Sequence, residues 1–392
     1  MSDCSGQMTV KGKLNGDAQR QIEVEVQAGE PRPQGRQVDL TVFHVQKQQI
    51  TSILGLDIGG ANLKAADRKG TARSMRFPLW RSPQLLTPTL RDLCLPWLPK
   101  VIAVVMTGEL CDCFETRREG VAFIVDAVRT VFPESRVLFF GTDGQFHEPD
   151  VAKRKPWVIA AANFMALAQW SAQRFDVQSG MLIDIGSTTT DIIPLRNRHA
   201  VPSERTDTGR LASGELVYQG VERTPLCSLA HSINWQGRAH GLMNEFFATT
   251  LDVYLLTDDL ESNPSDTSTA DGRPANKQAA WGRMARMVGA DCEILSLNDA
   301  IDLARQFADV QCSIIENALV AVMRHNENLL NPSSPRTVVL AGQGEFLARR
   351  VIKNISEWNG AEIVSMADVL GPGISQCACA YAVAQLAIRD KG

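Results

Sequence analysis

The sequence predicts an α/β protein built as two lobes around a central cleft, and three observations carry that expectation. A strand-length apolar run ending in Asp and Gly occurs twice, as ILGLDIGG at 53–60 and MLIDIGST at 181–188. Strand-like and helix-like stretches alternate between and after these runs, the pattern of α/β folds. The chain has 392 residues, more than one ordinary compact domain holds and enough for two cores of roughly 100–200 residues each.

Residues 1–50 are rich in Gln, Gly, Arg and Pro, with alternation only in IEVEV at 22–26 and an apolar run, DLTVFHV, at 39–45. They read as a loosely ordered extension with at most one hairpin. A first lobe is expected over 51–180. It opens with ILGLDI, a short strand ended by Gly59 and Gly60, after which LKAAD returns as a second strand to the turn at Arg68, Lys69 and Gly70. VIAVVM at 101–106 and VLFF at 137–140 are continuous apolar runs of strand length, which suits a sheet covered on both faces. Helices are predicted at 119–131 and 157–175, where apolar residues recur at helical spacing.

A second lobe is expected over 181–392, with a variable insertion around 200–295. MLIDIG carries Asp184 to Gly186, and STTTDIIPL can return as the next strand. DIGGANLKAAD and DIGSTTTDIIP are alike enough to suggest an internal duplication whose spacing suits two lobes rather than a solenoid. ESNPSDTSTADGRPANKQ at 261–278 is polar and rich in breakers, a candidate flexible flap. Helices should follow to about Leu330. TVVLAGQGEFLARRV at 337–351 reads as strand, turn at Gly342 and Gly344, and helix. After GPG at 371–373 a small-residue helix runs through Ala378, Tyr381, Ala384 and Leu386, and its Ala-rich face implies close packing on a sheet.

Composition excludes several classes. Forty Lys and Arg against 44 Asp and Glu, mixed along the chain for a net charge of -4, leave no electrostatic footprint for nucleic acid or acidic membrane. No apolar run approaches the roughly 18–20 residues a bilayer demands, and the first thirty residues lack a signal-peptide core, so a cytoplasmic protein is expected. Nine scattered cysteines point to reduced thiols. The pairs Cys111/Cys113 and Cys377/Cys379 are too tightly spaced for a zinc knuckle and read as small hydrophobes. The six histidines, His231 and His240 among them, form no metal-ligand spacing. Small-molecule substrates are the expected partners, and a homodimer is compatible with the sequence.

The chemistry gathers at the repeated hairpins. A phosphate needs backbone N–H donors that can come close, and Gly59, Gly60 and Gly186 with the hydroxyls of Ser187, Thr188, Thr189 and Thr190 meet that need. Asp57, Asp184 and Asp191 are placed to hold Mg²⁺, mostly through water. Lys64, on the returning strand, would meet the charge of a leaving phosphate, and Asn62 adds an amide. One DIGG alone would be no more than a tight hairpin with an exposed Asp; two copies and a C-terminal strand-Gly-helix turn favour phosphate binding. Arg205, Arg210 and Arg223, with Thr224 next in sequence, could hold a carboxylate or diphosphate, although an isolated Arg is usually a surface salt bridge. Asn163 is a polar residue inside an apolar helix and either completes a network or touches ligand.

DIGGANLK, DIGSTTTD and LAGQGEF resemble, in order and spacing, the two phosphate motifs and the adenosine motif of the ASKHA group, which holds acetate and sugar kinases, heat-shock protein 70 and actin. Longer blocks narrow the resemblance: TGELCDCFETRREGV at 107–121, AAANFMALA at 160–168, RTDTGRLASGELVYQGVERTP at 205–225, and ADGRP with RMARMVGAD at 270–291. These are similar to the hydantoinase/oxoprolinase-related branch that includes methanofuran-biosynthesis synthases and bacterial relatives linked to tetrahydromethanopterin one-carbon metabolism. The resemblance spans about residues 53–388. It implies an actin-like, ribonuclease-H-like fold and a transferase that joins an aminomethyl-furan methyl diphosphate to the phenol oxygen of a γ-glutamyl-tyramine-type acceptor. Diphosphate would leave with Mg²⁺ as cofactor, and ATP is not favoured.

On that reading Asp57, Lys64, Glu109 and Asp184 are catalytic. Glu109 is preferred over Asp112 as the base that takes the phenol proton. Gly59, Gly60, Asn62, Gly186, Ser187, Thr188, Thr189, Gly342 and Gly344 bind phosphate, and Asn163, Arg205, Arg223 and Thr224 bind substrate. Gln343 interrupts the glycines that kinases commonly place in the adenosine turn, which suits a ring smaller than adenine. Two alternatives stay open: an ATP-dependent small-molecule kinase or ATP-assisted amidohydrolase of the same group, and a non-enzymatic, actin-like nucleotide switch.

Overall fold

The computed structural model of the chain describes residues 9–15, 19–25, 49–326 and 336–387. Strands β1 (Thr9–Asn15) and β2 (Gln19–Glu25) pair antiparallel as a hairpin, whereas the DLTVFHV run lies outside the described residues.

The first sheet begins with β3 (Gln49–Ile58), β4 (Asn62–Asp67) and β5 (Ala72–Arg76), an antiparallel meander. Helix α1 (Leu86–Cys94) returns the chain to β6 (Trp97–Met106), which lies parallel to β3. Helix α2 (Arg117–Val131) then leads to β7 (Arg136–Phe140), parallel to β6, and β8 (Phe146–His147) closes the edge, for an order β5-β4-β3-β6-β7-β8. The start of α2 is set locally: the Thr116 side chain accepts from the Glu119 N–H, the usual way to satisfy a first-turn donor.

Short helices α3 (Pro149–Arg154) and α4 (Pro156–Ile159) precede α5 (Asn163–Arg174). The stretch expected as one helix over 157–175 is thus two, broken at Ala160–Ala162, where Ala161 adopts φ 50°. Three consecutive alanines carry no stop signal, so periodicity alone ran through the break.

The second sheet repeats the first. Its meander is β9 (Ser179–Ile185), β10 (Thr190–Arg196) and β11 (His199–Ala200). Helix α6 (Asp207–Ser213) leads to β12 (Leu216–Val217), which pairs with the start of β10. An insertion follows: the hairpin β13 (Ser232–Trp235) with β14 (Arg238–Gly241), then α7 (Thr250–Leu256), α8 (Lys277–Met287) and the long α9 (Leu297–His325). The chain re-enters the sheet at β15 (Thr337–Ala341), crosses over through α10 (Glu345–Lys353), and ends it at β16 (Glu362–Ser365), both parallel to β9. Helices α11 (Met366–Leu370), α12 (Pro372–Ser375) and α13 (Ala378–Leu386) finish the described chain. The order β11-β10-β9-β15-β16 matches β5-β4-β3-β6-β7 in both sequence and direction. That match makes the duplication structural.

Alternate residues of the central strands feed different cores. On β6, Ile102, Val104 and Met106 face one core while Ala103 and Val105 face another; on β15, Val338 and Leu340 are separated from Val339 and Ala341 in the same way. Continuous apolar runs are therefore required, as expected for strands covered on both faces. The core shared by the two sheets contains α5 and α13, with Ala382 and Ala384 of α13 fully buried against them. Two ion pairs also cross between the lobes: Arg76 to Asp266 and Arg117 to Asp207, each 2.5 Å. The loop at 261–278 is closed on itself by a bridge between Asn263 and Ala275 and tied to β5 through Asp266. Among the described residues no helix is long and apolar enough to cross a membrane.

Candidate active site

Both hairpin turns are closed by the same bond. The Gly59 N–H donates to the Asn62 carbonyl at 3.0 Å, and the Gly186 N–H to the Thr189 carbonyl at 2.9 Å. Each turn then leaves backbone donors over. Among the described residues the N–H groups of Gly60, Ala61, Ser187 and Thr188 donate to no protein group, and all four residues line one cleft of about 780 Å³. Unpaired amides at two facing turns form an anion cradle, the need that glycine-rich hairpins meet.

The floor of the cleft carries the charge. Asp57 on β3 stands opposite Lys64 on β4, and in the duplicate Asp184 on β9 stands opposite Asp191 on β10. The repeat is therefore broken at one position, with a cation in the first lobe where the second has a carboxylate. Arg210 neutralises that carboxylate: its guanidinium donates to Asp191 Oδ1 at 2.5 Å and to the Glu215 carbonyl, and lies 3.6 Å from the Phe164 ring centroid. Burial, together with Asp191 and Asp57, pushes Asp184 up to about 7, with Lys64 opposing. Asp57 is likewise raised by burial against the pull of Lys64. Burial alone would depress Lys64, but the carboxylates of Asp57 and Asp184 outweigh it and raise it above the usual lysine value.

Asp57 Oδ1 is buried without a hydrogen-bond partner. An orphaned carboxylate oxygen beside a second raised carboxylate and two sets of free amides fits a Mg²⁺ ion that keeps part of its water and shares phosphate oxygens. Among the described residues no three His, Cys, Asp or Glu side chains converge as a metal cluster, so the protein would supply the two carboxylates of Asp57 and Asp184 and leave the other positions to water and ligand.

Of the other residues picked from sequence, Asn62, Asn163, Asp112, Arg210, Arg223 and Gly342 line the cleft. Asn163 is the first residue of α5 rather than an interior one, and it lines the cleft. Gly342 has φ +83°, and a Cβ there would stand 2.5 Å from Asp184 Oδ1. Gly344 sits beneath, its N–H donating to the Ile185 carbonyl. Arg205 is exposed and outside the cleft lining. Thr224 is buried, and its hydroxyl bonds the Gly220 backbone rather than facing the opening. Sequence reasoning missed Trp80, Asp207, Tyr218 and Glu222, all in the lining. Nothing local marks them, because each reaches the cleft by tertiary folding.

Glu109 is 1% exposed and stands behind the cleft wall, outside its lining, with Oε2 unpartnered. Burial pushes its carboxyl up to about 7, opposed by its own backbone N–H and Arg117, aided by Asp207, and opposed again by the Ala161 N–H. A carboxyl raised on folding binds its proton more tightly in the native state, so stability is greatest below the unfolded value and falls as pH rises toward 7. Glu109→Gln should remove that slope: its unfolding free energy should match the wild type's at about pH 4 and exceed it at about pH 8 by on the order of 3 kcal/mol. A variant less stable at pH 8 would mean that the ionised carboxylate is the form the fold holds.

Two sheets of one topology, each presenting a glycine hairpin and a carboxylate to a shared cleft, define the two-lobed actin-like class of α/β proteins. The model for Hydantoinase/oxoprolinase matches residues 100–390, and the chain belongs to that family. It is 33% identical over 340 residues to the (4-{4-[2-(gamma-L-glutamylamino)ethyl]phenoxymethyl}furan-2-yl)methanamine synthase of Methanocaldococcus jannaschii, covering 85% of this chain and 97% of that one. The protein of the same name from Methanococcus vannielii is 29% identical over 219 residues, 56% of this chain and 95% of the relative. Among solved structures, an archaeal actin homologue in complex with ADP aligns with TM-score 0.42 at 13% identity, covering 87% of this chain and 100% of that one. The ROK hexokinase of Thermus thermophilus aligns with TM-score 0.39 at 17% identity, covering 86% and 99%. The curated relatives are synthases, and this chain is an enzyme.

Proposed function

We propose that the chain is a transferase that couples an aminomethyl-furan methyl diphosphate to the phenol oxygen of a γ-glutamyl-tyramine-type acceptor, releasing diphosphate, in the formation of a methanofuran-type one-carbon carrier. The observation that carries this reading is the cleft floor, where Lys64, two carboxylates and four free amides converge, in a chain that matches nearly the whole length of a synthase whose product is a phenoxymethyl-furan.

In the reaction the bond from the furfuryl carbon to the diphosphate oxygen breaks with its electron pair on diphosphate. The phenol oxygen bonds to that carbon, and the phenol proton passes to a base. A furfuryl carbon tolerates positive charge, so the barrier lies mainly in stabilising the departing anion. The free amides of Gly60, Ala61, Ser187 and Thr188 receive its oxygens, and Lys64, held protonated by the carboxylates around it, meets the developing charge. Mg²⁺ held by Asp57 and Asp184 would neutralise more of that charge. Glu222 lines the cleft, and burial raises its carboxyl against Arg76. It is better placed than Glu109 to take the phenol proton. The ion pairs Arg76–Asp266 and Arg117–Asp207 hold the lobes together beside the cleft and restrict the water that would capture a furfuryl cation.

The test is diphosphate release by purified protein with Mg²⁺, given the furan diphosphate and γ-glutamyl-tyramine, with ATP consumption followed in parallel. Release that depends on acceptor, with ether product and no ATP loss, is the expected result. Acceptor-dependent ATP loss without ether would replace this reading with that of a kinase-like enzyme.

A further inference from the structure

The cleft has two chemically different depths. Its floor is polar, but three large apolar side chains of the lining stand open to solvent: Trp80 at 38%, Leu110 at 59% and Tyr218 at 67% exposure. Side chains of that size, left exposed inside a concave site, are normally there to be covered. Each aromatic is fixed to one phosphate hairpin. Trp80 follows Leu79, whose N–H donates to the Gly60 carbonyl, and Phe77 donates likewise to Ala61. Tyr218 follows β12, whose two residues pair with Thr190 and Asp191, and the Thr190 hydroxyl donates to the Gln219 carbonyl at 2.8 Å. One aromatic thus comes from each lobe, each delivered by the backbone that forms the anion cradle.

A charged group completes the feature. The Arg223 guanidinium, from the second lobe, lies 5.3 Å from the ring centroid of Trp80, in the first. Among the described residues it forms no ion pair, and the side chain is exposed. A cation over an aromatic face, unpaired and beside further apolar surface, is complementary to an aryl group that bears a carboxylate.

We propose that Trp80, Leu110 and Tyr218 form an aryl subsite at the mouth of the cleft that selects the acceptor, with Arg223 anchoring the acceptor's carboxylate. The substrate class it takes is an aryl compound whose tail bears a carboxylate. This rests on the transferase reading for its chemistry, but the subsite itself is a binding statement and is tested as one.

Trp80→Leu and Tyr218→Leu replace exposed side chains and leave the hairpin backbone bonds in place. Calorimetric titration of γ-glutamyl-tyramine into protein saturated with Mg²⁺ and inorganic diphosphate should show about tenfold weaker binding for each variant, since an aromatic contact contributes about that much. Diphosphate affinity should stay within twofold. Arg223→Ala should weaken γ-glutamyl-tyramine more than tyramine and so abolish the preference between them. Unchanged acceptor affinity in both aromatic variants, an equal loss of diphosphate affinity, or no aryl binding by the wild type would overturn the subsite. Trp80-dependent aryl binding in a protein that releases no diphosphate from the furan substrate would keep the subsite and sink the transferase.

Discussion

Replacing Asp184 by Asn is expected to lower the rate of diphosphate release about a thousandfold, the scale of losing a metal-centred contact to a leaving group, while the protein stays folded. The substitution conserves volume and removes a charge that folding already disfavours. Burial, Asp191 and Asp57 all act against the ionised form of Asp184, so the melting temperature of the ligand-free variant should equal or exceed the wild type's. Binding of inorganic diphosphate should lose its dependence on Mg²⁺ while the contribution of the backbone amides persists. Asp191→Asn, at the matching position of the same hairpin, should behave in the opposite way. It leaves the 2%-exposed Arg210 without its carboxylate, and breaking a buried pair by removing one partner costs about 3–5 kcal/mol. Stability, not chemistry, is then the first casualty. Turnover of Asp184→Asn within tenfold of wild type would remove Asp184 from the reaction and with it the symmetry-based assignment of the floor.

That contrast was not available from sequence, although the hairpins were. Asp57, the glycines and Lys64 could be read because a strand, a tight turn and a returning strand are local, and a two-residue side-chain period places Lys64 on the strand position facing Asp57. The duplication was legible for the same reason. What sequence does not encode locally is which carboxylate acquires a partner. Arg210 reaches Asp191 from a helix that begins sixteen residues later, at Asp207, and only the pairing of β12 with β10 brings them together. Glu109 follows a buried strand, where α/β sites gather, but it does so in a short turn that buries its side chain in the wall. A polar Asn163 in an apolar stretch needs a reason, but the break at Ala161 that gives it one comes from a left-handed alanine no propensity would suggest. The polar loop at 261–278 looked like a flap because breakers dominate it. Arg283 explains why it is held: fully buried, it binds both Asp252 of α7 and Asp271 of the loop.

The second hairpin is held in turn by a residue with no side chain. Gly220 packs on the turn so closely that a Cβ would lie 2.4 Å from both the Gly186 carbonyl oxygen and the Thr188 nitrogen. Gly220 cannot retreat. Its carbonyl accepts from Thr250 Oγ1 at 2.8 Å, Gln311 Nε2 at 3.0 Å and Thr224 Oγ1 at 3.3 Å, and Gln311 is itself fixed by the Tyr254 hydroxyl. In Gly220→Ala the phosphate turn therefore has to move, and it carries the unpaired Ser187 and Thr188 amides with it. Displacement of reacting groups by about 1 Å costs on the order of a hundredfold, so kcat/KM for the diphosphate substrate should fall by about that factor. Acceptor affinity should fall as well, because Tyr218 lies two residues before Gly220 and the Arg223 N–H donates to the Ser187 carbonyl of the same turn, whereas Trp80 stays with the other hairpin. Gly241→Ala is the matched control, since nothing lies within 4 Å of a Cβ there. If Gly220→Ala retained wild-type diphosphate affinity and rate, the amides of the second turn would not be what receives the leaving group, and the first hairpin with Lys64 would have to do so alone.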